Sequence, residues 1–189
     1  MRIVAGRLRG RRLAPPADRA IRPTADRARQ ALFDILTHGP FAEAGLPGLA
    51  VLDVCAGTGA LGLEALSRGA EAATFLDDSA AAIGLIERNA RALDLAGQCL
   101  ILHRDARRPG PAPRQHQLVF LDPPYGQDLI APILTALAGN GWLAEGAVLA
   151  CEGTSQAQGF PDEFLVFDER RYGKTRLALL RYRRHARGS

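Results

Sequence analysis

Leu49-Ala50-Val51-Leu52-Asp53-Val54 runs without a break into Cys55-Ala56-Gly57-Thr58-Gly59-Ala60-Leu61-Gly62. The first six residues form an apolar run of the length of a buried strand, and Ala60 to Arg68 reads as a helix. A strand entering a helix through a glycine turn, followed by further alternating strands and helices, points to an α/β fold on a mostly parallel sheet. The glycines allow a tight turn and a close approach of backbone to ligand, while the helix N-terminus offers unpaired N–H groups. Gly57 to Gly62 spells G-x-G-x-x-G, which serves dinucleotide sites equally well. Asp53, four residues before the first glycine, tilts the reading. A carboxylate at that strand end repels a pyrophosphate and attracts an ammonium or a sulfonium. S-adenosylmethionine carries both cations.

Glu71 to Leu76 is the next strand, ending at Asp77 and Asp78. An acid about 20 residues past a glycine loop, at the end of the second strand, is placed to accept from ribose hydroxyls. Asp77 is the first choice; Asp78 either replaces it or caps the helix that runs from Ala80 to about Leu93. The third strand, Cys99 to His103, leads to Asp105, which either accepts from an adenine amine or is a solvent-facing turn residue.

Gln117 to Leu121 reads as a buried parallel strand that ends in Asp122-Pro123-Pro124-Tyr125. Ligands of open α/β sheets bind beyond the carboxyl ends of strands, so this tetrapeptide belongs on a pocket rim. The prolines fix φ and remove two backbone donors, leaving acceptor carbonyls beside an acceptor carboxylate and an aromatic face. Such a cluster suits a planar NH2 group: the Asp122 carboxylate and Pro123 carbonyl take its two hydrogens while Tyr125 stacks on the base. The plainer alternative is a proline-rich turn. A helix from Leu129 to Leu137 and strands at Ala147–Cys151, Phe164–Phe167 and Leu177–Tyr182 complete the pattern, with Arg170 to Arg176 as the charged turn of a closing antiparallel hairpin. The expectation is a seven-stranded, mostly parallel sheet with an antiparallel last strand.

The 189 residues suffice for one domain, with residues 1–38 as a basic extension and 49–183 as the core. No apolar run reaches the roughly 18 residues that span a membrane, and Met1 to Pro16 lacks the apolar segment of a signal peptide; a cytoplasmic protein is expected. Cys55, Cys99 and Cys151 have neither disulfide nor metal spacing, and the four histidines show no partner pattern. The net charge of +4 is unevenly spread: residues 1–34 carry nine Arg against three Asp, residues 35–169 seven Arg against seventeen acids, and residues 170–189 eight basic groups against none. Basic ends suit a polyanion if they share a face. Arg2–Ala5 and Arg11–Leu13 read as a small hairpin. A helix follows from Thr24 to Thr37 on the spacing of Ala28, Ala31, Leu32, Ile35 and Leu36. Arg9, Arg11, Arg12, Arg22 and Arg27 are the candidate RNA contacts, against the alternative of solvated side chains.

With the Gly57 loop, Asp77, Asp105 and Asp122–Tyr125 in that order, the chain resembles a class I, Rossmann-like S-adenosylmethionine-dependent methyltransferase acting on amines. Arg2-Ile3-Val4-Ala5-Gly6, Arg9-Gly10-Arg11-Arg12-Leu13, Arg22-Pro23-Thr24, Ala31-Leu32-Phe33, Gly141-Trp142-Leu143 and Tyr172-Gly173-Lys174-Thr175 are similar to the bacterial RsmD family. The resemblance covers nearly the whole chain. It implies methylation of a guanine N2 amine in 16S ribosomal RNA of the small subunit, with the guanine flipped into the pocket. Carried over, Asp53, Ala56, Gly57 and Gly59 hold the donor's methionine part, Asp77 its ribose, Asp105 and Ala106 its adenine, and Asp122, Pro123, Pro124 and Tyr125 the target. No metal is implied. Cys55 stands where an aromatic is common in the family and Asp77 where Glu is common. A DNA or RNA methyltransferase acting on adenine N6 or cytosine N4, a nicotinamide oxidoreductase and an inactive RNA-binding module are the rival readings.

Overall fold

A computed structural model describes residues 1–16, 23–41, 43–124, 129–154, 159–172 and 175–184. Helix α1 (Pro23–His38) precedes strand β1 (Ala50–Val54), and the chain then alternates through α2 (Ala60–Ser67), β2 (Ala72–Asp77), α3 (Ala80–Ala92) and β3 (Cys99–His103). It continues as β4 (His116–Leu121), α4 (Ile130–Gly139), β5 (Leu143–Thr154), β6 (Phe164–Tyr172) and β7 (Thr175–Tyr182). Seven strands form one sheet in the order β3-β2-β1-β4-β5-β7-β6. The last strand slots between β5 and β6 and pairs antiparallel with both. Pairs β1–β2, β1–β4, β2–β3 and β4–β5 are parallel. The expected α/β sheet with an antiparallel last strand is therefore what forms.

Side-chain alternation along the strands divides the core in two. Val51, Phe120, Val148, Ala150, Leu177 and Leu179 face α1, α2 and α3, whereas Leu52, Val54, Val119, Leu121, Leu149 and Leu180 face α4, Trp142 and Phe164. The strand order reverses at β1, with β2 on one side and β4 on the other. Such a switch point opens a crevice beyond the carboxyl ends of β1 and β4. That crevice is where Asp53 and Asp122 arrive.

The N-terminal hairpin forms as read. Ile3 N–H donates to Arg11 O at 2.9 Å and Gly10 N–H to Ile3 O at 2.9 Å. It is fastened to α2 by a buried carboxylate: Val4 N–H and Ala5 N–H donate to Glu64 Oε2 and Oε1 at 2.8 and 2.9 Å. Glu64 also holds Arg68 at 2.8 Å and Arg29 at 3.5 Å. At Gly6, with φ of 78°, a β-carbon would lie 2.0 Å from the Ser67 carbonyl oxygen. Only glycine lets the hairpin sit this close.

Three expectations are corrected. The buried face of α1 is Arg29, Leu32, Phe33 and Leu36, while Ala28 and Ala31 are exposed. Phe33 packs its ring 5.4 Å from that of Phe120, so α1 is turned to cover the sheet with its large side chains. Most of the stretch read as a turn is strand: Arg170 pairs with Leu177 and Arg171 with Arg176 in the β6–β7 ladder, while Gly173 and Lys174, between the two strands, lie outside the described residues. Its arginines are paired with acids of β6, Arg170 on Asp168, Arg171 and Arg176 on Glu169, and such charges suit an edge strand like β6. The strand read at Ala147–Cys151 extends to Leu143–Thr154 across a register shift against β4, where Gly146 has a φ of 74°.

Candidate active site

Asp53 is the penultimate residue of β1 and is 2% exposed. Its Oδ2 accepts the Gly62 N–H at 2.9 Å, so the third glycine of the loop is pinned to the strand it follows. A β-carbon on Gly62 would lie 2.4 Å from the Phe75 ring and 3.3 Å from Asp53 Oδ2. Burial pushes the Asp53 carboxyl up to about 8; the Gly62 N–H pulls it partly back, and the charges of Asp122 and Asp77 raise it further. These carboxylates from β1, β2 and the end of β4 thus sense one another.

Between them the backbone of Cys55 takes a left-handed φ of 57° and donates its N–H to Leu76 O at 2.9 Å. A non-glycine residue in this region is strained and is characteristic of functional turns. Burial first, then the charges of Asp77, Asp78, Asp122 and Asp53, push the Cys55 thiol up to about 12. Several acids therefore face one small space.

Gly57 (φ 55°) donates its N–H to Asp77 Oδ2 at 2.9 Å, while Ser79 N–H occupies Asp77 Oδ1 at 2.9 Å. A β-carbon on Gly57 would meet nothing within 4 Å, so open space lies over this residue. Gly59 (φ 73°) closes the turn through its N–H to Ala56 O at 2.8 Å. Asp77 is buried against this loop, whereas Asp78 is exposed. Further along the rim, Asp105 is clasped by Arg107, whose guanidinium NH2 stands 2.8 Å from Oδ2. Those hydrogen bonds hold the Asp105 carboxyl below its usual range. Ala106, the next residue, is buried in the same apolar cluster as Leu76 and Val54. Asp122 follows β4 directly, its N–H 3.4 Å from Val54 O; Asp122 and Pro124 are exposed and Pro123 is buried. Tyr125 and Arg22 lie outside the described residues.

The N–H groups of Gly57 and Gly62 are thus already given to carboxyl groups. A cradle lined with acids disfavours an anionic ligand and complements a cationic one. Among the described residues no group of three or more His, Cys, Asp or Glu could hold a metal ion, and no helix is long and apolar enough to cross a membrane. His116 is a satisfied core residue, with Nδ1 against Trp142 O and Nε2 against Thr74 Oγ1, each at 3.0 Å.

The family model described as Conserved hypothetical protein 95 matches residues 1–181. The chain is 36% identical over 153 residues to the Escherichia coli Ribosomal RNA small subunit methyltransferase D, covering 80% of this chain and 74% of that protein. The chain belongs to the RsmD family. It is also 30% identical over 190 residues to YlbH of Bacillus subtilis, covering 97% of this chain and 100% of YlbH. The solved structure of yhhF from Escherichia coli superposes with a TM-score of 0.82 at 32% identity, covering 97% of this chain and 98% of that one. The fold is that of class I methyltransferases.

In this RsmD-family chain two polar residues that sequence reading passed over hold the site together. Asn89 of α3 is 2% exposed and donates from Nδ2 to Thr58 O, in the glycine loop, at 3.0 Å. Glu64, 0% exposed, carries the hairpin. Glu64 stands between Leu63 and Ala65, and Asn89 shares the buried face of α3 with Leu85, Ile86 and Ala90. A polar residue at a core-facing position is the signal that was available.

Proposed function

We propose that the chain transfers a methyl group from S-adenosylmethionine to the N2 amine of a guanine in 16S ribosomal RNA, in the small subunit and in the cytoplasm. The observation that carries the donor assignment is the engagement of Gly57 and Gly62 N–H groups by Asp77 and Asp53. This leaves an acidic cradle suited to a ligand bearing an ammonium and a sulfonium. Asp53, Ala56, Gly57 and Gly59 would hold its methionine part, Asp77 its ribose, and Asp105 with Ala106 its adenine. Reaching Asp105 requires Arg107 to give way, and an exposed ion pair costs only about 0–1 kcal/mol to part.

When bound, the donor supplies a methyl carbon on a good leaving group. The protein's task is then alignment and electrostatics. Asp122 and Pro123 present acceptors to the two amine hydrogens and so aim the nitrogen; Pro124 stiffens the segment, and Tyr125 is the proposed stacking face. The amine proton becomes acidic only as the new bond forms, so Asp122 need not ionise the amine beforehand.

For the RNA, Arg2, Arg9 and Arg27 line an open cleft of about 250 Å³ with Gln30 and Asp26 between hairpin and α1. Arg12 is exposed on the hairpin strand facing Arg2. Arg11 is exposed as well and donates to Ala92 O at the end of α3. With Arg22 these form the proposed phosphate-contacting set. Arg29, by contrast, is buried and paired with Asp26 at 2.9 Å.

The test is methyl transfer from labelled S-adenosylmethionine into unmodified small subunits, 16S RNA and duplex DNA, with the product nucleoside identified after digestion. N2-methylguanosine from the ribosomal substrate is the expected result. Methylated adenine or cytosine would overturn the target, and label in none of the three would overturn the activity.

A further inference from the structure

We infer that Asn89 is a positioning residue that locks the donor loop to the N-terminal arm, so that RNA and methyl donor bind cooperatively. This rests on the function proposed above. It concerns a residue that touches neither ligand.

The geometry is that of a side chain imitating a strand. Asn89 Oδ1 accepts the Ala14 N–H at 2.8 Å, while Nδ2 donates to Thr58 O at 3.0 Å and to Ala14 O at 3.4 Å. One buried amide therefore joins the chain leaving the hairpin to the middle residue of the glycine loop. Ala14 carries the last backbone N–H before Pro15 and Pro16, which have none. If the segment is to be tied down by its backbone here, Ala14 is where it must happen.

Two further contacts reinforce the strap. Met1 Sδ stands 3.5 Å from Thr58 Oγ1, and Leu13 N–H donates to Met1 O at 3.1 Å. Both ends of the hairpin thus converge on Thr58. The loop on the other side of the strap has left-handed glycines at 57 and 59 flanking Thr58. Glycine loses more conformational freedom on ordering than any other residue. A restriction on the carbonyl between two glycines is therefore a restriction on the most adaptable part of the loop.

Phosphate contacts on the hairpin arginines restrict the arm, and Asn89 passes the restriction to Thr58. A loop ordered by one ligand costs the second ligand less to order. By linkage the donor must tighten RNA binding by the same factor. Without Asn89 the arm keeps only the Met1–Thr58 contact to the loop, and the factor falls.

The experiment titrates S-adenosylhomocysteine, which cannot react, onto the full chain alone and saturated with unmodified small subunits. Wild type, Asn89→Leu and Ala14→Pro are compared. Asn89→Leu keeps the volume and removes the amide; Ala14→Pro removes the same bond from the arm side without touching the core. Wild type should bind S-adenosylhomocysteine about five-fold or more tightly with RNA bound than without, and both variants should lower this ratio. A ratio of one in wild type, or an undiminished ratio in both variants, overturns the inference. A purely structural role for Asn89 would weaken binding equally in both states and leave the ratio intact, which also overturns it. Wild type that binds no S-adenosylhomocysteine at all overturns the donor assignment and the coupling with it.

Discussion

Asp53 Oδ2 and the Gly62 N–H lie 2.9 Å apart across the turn that joins β1 to α2. The carboxylate that is proposed to meet a cationic donor is therefore also the anchor of the helix beside it. It is buried, and that burial pushes its carboxyl up to about 8.

That titration predicts proton release. A cation arriving beside Asp53 favours the carboxylate, so donor binding at pH 7 should release up to one proton, fading above about pH 9. Calorimetry in buffers of different ionisation enthalpy measures it. Stability has the opposite dependence from an ordinary salt-bridged acid. The folded state holds the Asp53 proton up to about 8 while the unfolded chain loses it near 3.8, so this contribution is fully present below the lower value and is lost as pH rises toward the upper one. Asp53→Asn should flatten that slope in thermal melts. It should also weaken donor binding by about 1.5–3 kcal/mol, for the lost hydrogen bonds to a charged group.

Asp122→Ala separates binding from chemistry. Removing its charge favours ionised Asp53 but takes away one acid facing a cationic donor, and because the two effects oppose each other donor affinity should hold. Methyl transfer should fall by roughly a hundredfold or more, as expected when a preorganised polar contact to the reacting group is removed. Single-turnover rates on ribosomal substrate measure this, and near-normal turnover would sink the role given to Asp122.

Gly62→Ala and Gly57→Ala should fail differently. At Gly62 the new methyl would collide with Phe75, and the overpacking should cost about 1–3 kcal/mol of stability. Gly57 has room for a methyl but a left-handed φ, so its variant should lose about 1–2 kcal/mol through backbone strain and carry a methyl in the space proposed for the donor. Denaturation curves paired with donor titrations distinguish the two.

Glu64→Ala leaves Arg29, 5% exposed, facing a vacated partner and frees the Val4 and Ala5 N–H groups. Breaking a buried pair in this way costs about 3–5 kcal/mol, which for a chain of this size is a fall in Tm of roughly 6–20 °C. A melting temperature within a degree of wild type would show that the hairpin is held by other means.

Arg9→Gln, Arg12→Gln and Arg27→Gln should each lower the slope of log affinity against log salt for small subunits by about one. Arg29→Gln should destabilise the fold instead, because its guanidinium is spent on Asp26 and Glu64. Filter binding between low and moderate salt measures the slopes.

What the chain determined locally was visible from residue types and spacing alone. The glycine loop, the strand ends at Asp77 and Asp122 and the third strand at Cys99–His103 follow from patterns a few residues long, since a strand's alternation and a turn's glycine need are local properties. The tertiary structure decided what depends on a partner distant in sequence. Arg29 reads as one more arginine near a helix start until Glu64, on another helix, buries it. Arg170 and Arg171 read as part of a turn until they pair with Leu177 and Arg176 across the β6–β7 ladder. Asn89 is an ordinary helix residue until Ala14 and Thr58, one on each side of it in space, need the same amide. Sequence patterning reports which face a residue shows; only the packed chain determines what that face meets, because the cost of burying a polar group is settled by partners that folding brings from elsewhere.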